Sequence, residues 1–236
     1  MHSEELLMNY KAHQIGGLSL GASAALLKYG IPKNPETTLL SLVIIGTATT
    51  AALLPDIDEP SSKVGRKTAI LSNGVKAIAG HRGFFHSPLA VVGLWIILEL
   101  LRNASVVANG QLYITTVIVA ALVIGVFMTR RKRVTIGFVL VAVWIVLGVM
   151  FDKRVDPGLI LRCVEEGVLL GYTSHLLMDM TNRAGIPLLY PFSKKKFHLM
   201  TLKTNRDEFI AETLFIIPVV AILFREWSKG WPLTGI

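Results

Sequence analysis

Residues 54–60 read Leu-Pro-Asp-Ile-Asp-Glu-Pro and directly follow a long apolar run. Residues 80–87 read Gly-His-Arg-Gly-Phe-Phe-His-Ser and lead directly into another apolar run. The first stretch carries two carboxylates one residue apart, at Asp56 and Asp58, and the second carries two imidazoles, at His81 and His86. Carboxylates and imidazoles are common ligands of divalent metal ions. The two stretches therefore predict a metal site at the ends of apolar helices.

The composition is typical of an integral membrane protein. The 236 residues are 52% hydrophobic and 17% charged, with a mean hydropathy of +0.56, whereas a soluble domain carries about 25% charged residues. Several apolar segments are short for a hydrocarbon core of about 30 Å, so their ends must extend into polar sequence unless the helices are re-entrant. We predict an all-α, polytopic membrane helical bundle that forms a single domain over residues 1–236. Its seven segments lie at about residues 14–29, 38–54, 88–101, 112–128, 134–151, 159–178 and 209–224.

The basic residues between these segments predict the orientation. Residues 130–133, Arg-Arg-Lys-Arg, connect segments four and five, and such a block favours the cytoplasm. With that connection inside, sixteen basic residues fall on the cytoplasmic side and seven on the other. The N-terminus and the two long loops, residues 55–87 and 180–208, are then also cytoplasmic.

This topology brings the candidate metal ligands to one face of the membrane. His175 and Asp179 are four residues apart, so they share one face of the sixth helix. Asp56 and Asp58, in an extended or turn conformation, are also expected to point to one side. The mixture suits Zn²⁺, Mn²⁺ or Fe²⁺ better than Ca²⁺, and seven ligands allow one or two ions. The predicted ligands are His13, Asp56, Asp58, His81, His86, His175 and Asp179.

Several stretches together resemble a known family. They are residues 54–62, the pair Gly65-Arg66, residues 80–87, residues 171–181 (Gly-Tyr-Thr-Ser-His-Leu-Leu-Met-Asp-Met-Thr) and residues 185–192 (Gly-Ile-Pro-Leu-Leu-Tyr-Pro-Phe). The chain resembles the bacterial inner-membrane metal-dependent hydrolases of the YdjM type, also called LexA-regulated. The resemblance implies a divalent-metal hydrolase with the seven ligands named above, distantly similar to zinc-dependent phospholipase C and the P1-type nucleases. Phe85, where a small hydroxylated residue is expected, and the pair Glu165-Glu166 depart from the pattern.

The catalytic roles follow as expectations. Asp56 or Asp58 is expected to be a bridging ligand, and Asp179 or Asp58 could act as the general base. The sequence does not choose among these carboxylates. Arg66, Arg82 and Ser87 are candidates for binding a phosphate group, and Arg82 is also expected to act in catalysis. The expected substrate is a phospholipid or another lipid-linked phosphate at the cytoplasmic leaflet, with nucleic acid the less favoured partner.

Two other functions would use the same cluster. A metal-ion transporter or sensor would bind a cargo ion there, and a non-catalytic scaffold would use the metal to hold helix ends together. Transport sites tend to lie near the bilayer midplane, so ligands at helix ends favour the enzyme.

Two further features accompany the cluster. Arg162 and Glu166 have the i to i+4 spacing of a structural ion pair. Residues 194–196, three lysines that follow Tyr190-Pro191-Phe192, are typical of an interfacial anchor.

Overall fold

A computed structural model describes residues 10–58, 83–107, 156–181, 185–193, 195–199 and 205–229, with the backbone alone at 57, 58, 101, 103–107, 157 and 205–208. Over these ranges the regular structure is helical, which confirms the predicted all-α class. The helices are α1 (Tyr10–Tyr29), α2 (Pro35–Ala51), α3 (Pro88–Val107), α4 (Pro157–Asp179) and α5 (Asn205–Lys229). Two single turns of 3-10 helix, Pro55–Asp58 and Phe84–His86, follow α2 and precede α3.

Three of these helices begin with a proline, and in α2 and α4 the side chain of the preceding residue caps the helix. The side chain of Asn34 accepts a hydrogen bond from the backbone N–H of Thr37 at 2.8 Å, and that of Asp156 accepts from Gly158 at 2.9 Å. Ser87 stands in the same place before α3. A proline fits the first helical position because the N–H it lacks would have no partner inside the helix.

The five helices extend beyond the predicted apolar segments. Each of them continues into polar sequence at one end or at both, as the shortness of the segments required. Segments 112–128 and 134–151 lie outside the described residues, so the seven-segment bundle and its orientation stay predictions.

Among the residues that the structure describes, no helix combines the length and the apolar character that a membrane crossing requires.

Helices α1, α2 and α4 pack against one another, while α5 lies against α1 and α3 against α4. The packing is tight around Ala48, in the last turn of α2. A Cβ atom placed on Gly17 of α1 would lie 2.4 Å from the carbonyl oxygen of Ala48, and one on Gly171 of α4 would lie 2.2 Å from the same atom. A second glycine lies four residues away in each helix. A Cβ atom on Gly21 would lie 2.8 Å from Cβ of Ala48, and one on Gly167 would lie 2.7 Å from the carbonyl oxygen of Ile44. Small residues at this spacing let helix backbones approach closely.

Ion pairs join the helices at the end of the bundle where α2 begins, opposite the candidate metal ligands. Glu166 of α4 pairs with Lys28 of α1 at 2.5 Å, rather than with Arg162, whose side chain is exposed. Glu165 of α4 pairs with Arg102 of α3 at 3.4 Å. Glu165 and Glu166 thus form structural ion pairs, as predicted for charges in this segment, but with partners on other helices. Spacing along one helix does not reveal such partners.

The contact at Gly171 predicts a matched pair of outcomes. Gly171→Ala forces its new methyl group against the backbone of α2, so we expect unfolding to become easier by about 1–3 kcal/mol, the usual cost of overpacking. Gly46→Ala is the control, because a Cβ atom there meets nothing within 4 Å. Thermal unfolding of both variants in detergent measures the difference, and equal stability of the two would contradict the close approach.

Candidate metal centre

The last turn of α4 supplies two buried candidate ligands, His175 and Asp179. The Nδ1 atom of His175 lies 2.7 Å from the carbonyl oxygen of Ala52, the residue that caps α2. A carbonyl oxygen only accepts hydrogen bonds, so Nδ1 must donate. In the neutral ring the lone pair is then on Nε2, which points toward the other candidate ligands. A carbonyl that orients a histidine in this way is a common support of metal ligands.

Three donor atoms form a nearly equilateral triangle. The Nε2 atoms of His175 and His86 are 3.4 Å apart. The Oδ2 atom of Asp179 lies 3.4 Å from the first of these nitrogens and 3.3 Å from the second. Ligand atoms about 2.05 Å from a tetrahedral Zn²⁺ are roughly 3.3 Å from one another. The triangle therefore fits one face of a zinc tetrahedron, and the residues present are suited to hold this ion.

Two more predicted ligands surround the triangle. Asp56 places Oδ1 3.6 Å from Nε2 of His175 and keeps 19% of its side chain exposed. His13 of α1 stacks on the His175 ring at 3.9 Å, with Nε2 3.7 Å from Oδ1 of Asp179. Two groups of three residues have ligand atoms close enough to hold one ion. One is His13, His175 and Asp179, and the other is Asp56, His86 and His175. Because Nδ1 of His175 is engaged, its one remaining nitrogen can serve only one ion.

The turn Phe84–His86 is fixed from two sides. The hydroxyl of Tyr172 in α4 donates to the carbonyl oxygen of Phe85 at 2.6 Å. The hydroxyl of Ser87 donates to the carbonyl oxygen of Phe84 at 2.6 Å, and Ser87 is buried. These bonds hold His86 over the end of α4. The unexpected residue Phe85 thus contributes its backbone to the site.

The electrostatics of the cluster are dominated by its buried carboxylate. Asp179 lies just after the predicted apolar segment 159–178. Burial by itself would raise the pKa of its carboxyl group. The attraction and hydrogen bond of His175, with the attraction of His13 and His86, outweigh burial and hold the pKa well below its ordinary value. Asp179 therefore favours its anionic form, and either a protonated imidazole or a metal cation can balance this buried charge.

The structure brings together five of the seven predicted ligands, and they are His13, Asp56, His86, His175 and Asp179. His81, Arg66, Arg82 and the side chain of Asp58 lie outside the described residues. Their predicted roles, and that of Ser87 in binding substrate, stay predictions. Sequence reasoning missed the carbonyl of Ala52 and the hydroxyl of Tyr172. Tyr172 lies in a recognised motif, but a backbone carbonyl leaves no sequence signal.

A cavity of about 610 Å³ lies elsewhere in the molecule. Its walls come from the turn between α1 and α2 and from the end of α5. It contains none of the candidate ligands, so the chemistry of the cluster cannot be assigned to it.

The fold and the cluster together define a helical protein with a buried histidine and aspartate site suited to a divalent metal ion. Residues 8–235 match the family described as "YdjM inner membrane protein". The chain therefore belongs to the YdjM inner membrane protein family, which confirms the resemblance noted in the sequence.

Individual relatives agree with this assignment. The chain is 28% identical over 177 residues to the inner membrane protein YdjM of Escherichia coli (strain K12), and equally so to that of Shigella flexneri. The match covers 73% of this chain and 63% of each relative, so the chain spans just under two thirds of their length. It is also 26% identical over 184 residues to the uncharacterized protein YvsG of Bacillus subtilis (strain 168), covering 78% of this chain and 74% of the relative. No solved structure matches the chain.

Removal of a triangle ligand should abolish tight zinc binding. For His175→Gln or Asp179→Asn we expect a loss of affinity beyond the roughly 10–100-fold cost of losing a supporting hydrogen bond. His198→Gln is the control, because this histidine is exposed and was not predicted to be a ligand. Competition with a zinc-chelating dye measures the affinity, and unchanged binding in both ligand variants would refute the site.

The support of His86 makes a milder prediction. Tyr172→Phe removes the hydroxyl that holds the Phe85 carbonyl but keeps the ring in the apolar cluster around Ile186. We expect zinc affinity to fall by about tenfold with little change in unfolding temperature. A large loss of stability with unchanged affinity would mean that this hydrogen bond supports the fold rather than the site.

Proposed function

We propose that this chain is a membrane-embedded, divalent-metal-dependent hydrolase that cleaves a phosphoester of a phospholipid or lipid-linked substrate at the cytoplasmic face. The observation that carries the proposal is the triangle of His86, His175 and Asp179, with the partly exposed Asp56 beside it. Three buried protein ligands with an open side are typical of catalytic zinc sites, whereas structural sites are closed by four protein ligands.

The metal and the protein supply different parts of the chemistry. A bound Zn²⁺ or Mn²⁺ ion polarises a phosphoryl oxygen and makes water a better nucleophile near neutral pH. Asp179 is buried against three imidazoles, which suits a permanent ligand. Asp56 is the more exposed carboxylate, and we assign to it the acceptance of a proton from the attacking water. The sequence offered Asp58 and Asp179 for this role, so the proposed assignment to Asp56 departs from that expectation.

Recognition of the phosphate falls mainly to arginine. The hydroxyl of Ser87 already donates to a backbone carbonyl and is buried, so a substrate contact would require it to exchange partners. Arg66 and Arg82 keep the proposed role of neutralising the phosphate, since a guanidinium group can donate two parallel hydrogen bonds to it.

A metal-ion transporter or sensor is the second candidate, because the same ligands could bind a cargo ion. Transporter sites are typically built at interrupted helices near the bilayer midplane. Here α1, α2 and α4 are continuous, and the cluster lies at the end of α4 and just beyond the end of α2. This placement favours the hydrolase.

The proposal predicts that Asp56→Asn loses turnover and keeps its metal. We expect kcat on a phospholipid to fall at least about 100-fold, within the usual range for loss of a general base. Because the triangle is intact, we expect the variant still to bind zinc when zinc is supplied at a saturating concentration. Glu36→Gln is the matched carboxylate-to-amide control, since Glu36 is exposed in the first turn of α2.

The assay uses purified protein in bilayers with Zn²⁺ or Mn²⁺ and follows release of the phosphate-containing product. Equal turnover in the wild type and Asp56→Asn would contradict the proposed role of Asp56. Metal flux into vesicles without hydrolysis would favour the transporter, and cleavage of DNA alone would move the substrate class to nucleic acid. Metal binding with neither hydrolysis nor transport would favour the non-catalytic scaffold, in which the metal holds helix ends together.

A further inference from the structure

We call the segment that follows α4 the Phe192 loop, which comprises residues 185–193 and 195–199. Ile186 and Phe197 exchange two backbone hydrogen bonds, of 3.1 and 2.9 Å, which close the base of the loop. The N–H of Leu199 donates to the carbonyl oxygen of Met180 at 2.7 Å. Met180 directly follows the candidate ligand Asp179, so the base of the loop is tied to the metal centre.

The tip of the loop is apolar and exposed. Phe192 is 96% exposed and Leu189 is 56% exposed. Yet the backbone of the tip makes its own hydrogen bonds, from the N–H of Tyr190 to the carbonyl of Pro187 at 3.2 Å and from that of Ser193 to Leu189 at 2.9 Å. Insertion into lipid requires polar backbone groups to be satisfied internally, and these turns meet much of that requirement.

Positive charge follows the apolar tip. Lys195 and Lys196 are both exposed. Residues 185–199 contain no aspartate or glutamate, so no acidic side chain of the segment offsets these lysines. Basic residues next to an apolar tip are attracted to anionic lipid headgroups, and this complementarity selects a lipid surface over other occupants.

We infer that the Phe192 loop is an interfacial anchor, which inserts Phe192 and Leu189 into an anionic lipid leaflet and sets Lys195 and Lys196 on its headgroups. The anchor holds the candidate metal centre near the membrane surface. The ring of Tyr190 lies 6.4 Å from that of Phe84, so the loop packs against the turn that carries the candidate ligand His86.

The loop also presents lipid phosphates to the site, a role that rests on the proposed hydrolase function. Its lysines attract anionic headgroups to the leaflet region beside Asp179, which raises the local concentration of substrate. Lipid docking itself does not depend on turnover, so the two parts of the inference can be tested separately.

The depth of the tip tests the anchor. The full chain, with Cys163→Ser, carries a nitroxide at Phe192→Cys or, as control, at Lys196→Cys, in nanodiscs of phosphatidylethanolamine and phosphatidylglycerol. We expect the label at 192 to be accessible to oxygen and shielded from a water-soluble nickel chelate, and the label at 196 to be accessible to the chelate. Equal access of the chelate to both labels overturns the anchor. Shielding of 192 from both reagents reports a protein contact and also overturns it.

Kinetics test the presentation of substrate. For Lys195→Gln combined with Lys196→Gln we expect KM on the same bilayers to rise about tenfold or more, with unchanged zinc content and unchanged turnover of a short-chain, water-soluble phosphoester. Equal KM values overturn the presentation role. If wild type and variant turn over neither substrate, the proposed function fails, while the depth measurement still decides the anchor.

Discussion

The close approach of α2 to α1 and α4 at Ala48 is the constraint on which the rest of the structure depends. Glycines on both neighbouring helices leave no side chain between the backbones, and any Cβ atom there would collide with α2. One turn further along, the same approach brings the carbonyl of Ala52 to 2.7 Å from Nδ1 of His175. The packing of small residues therefore orients the ring of a candidate metal ligand.

The candidate site lies where helices end, and it combines a buried carboxylate with ligands that come from turns. The end of α4 buries Asp179 among imidazoles, where a charge is costly unless a cation faces it. The turns after α2 and before α3 supply Asp56 and His86 from outside the helix core. A divalent ion would satisfy both the buried carboxylate and the inward-facing Nε2 atoms, and the exposed edge at Asp56 admits water.

The sequence could predict the parts of this structure that depend on local spacing. His175 and Asp179 share a helix face because they are four residues apart, and the pairs Asn34-Pro35 and Asp156-Pro157 mark the starts of α2 and α4. The clustering of His13 and Asp56 with them followed from the alternation of apolar segments. The partner of Glu166 could not be predicted, because Lys28 is 138 residues away and only tertiary packing brings the two together. The carbonyl of Ala52 was equally hidden, since every residue carries one.

The Phe192 loop links the candidate site to the surface of the protein. Its base is hydrogen-bonded to Met180, the residue that directly follows Asp179, so the loop lies beside the candidate site. A site intended only to hold helix ends together would gain nothing from an exposed phenylalanine beside it, and water penalises such a side chain. A site that takes its substrate from a lipid surface does gain, because its ligands must remain at a fixed distance from that surface. We take the exposure of Phe192 beside the candidate site as support for the proposed lipid-facing hydrolase over a scaffold.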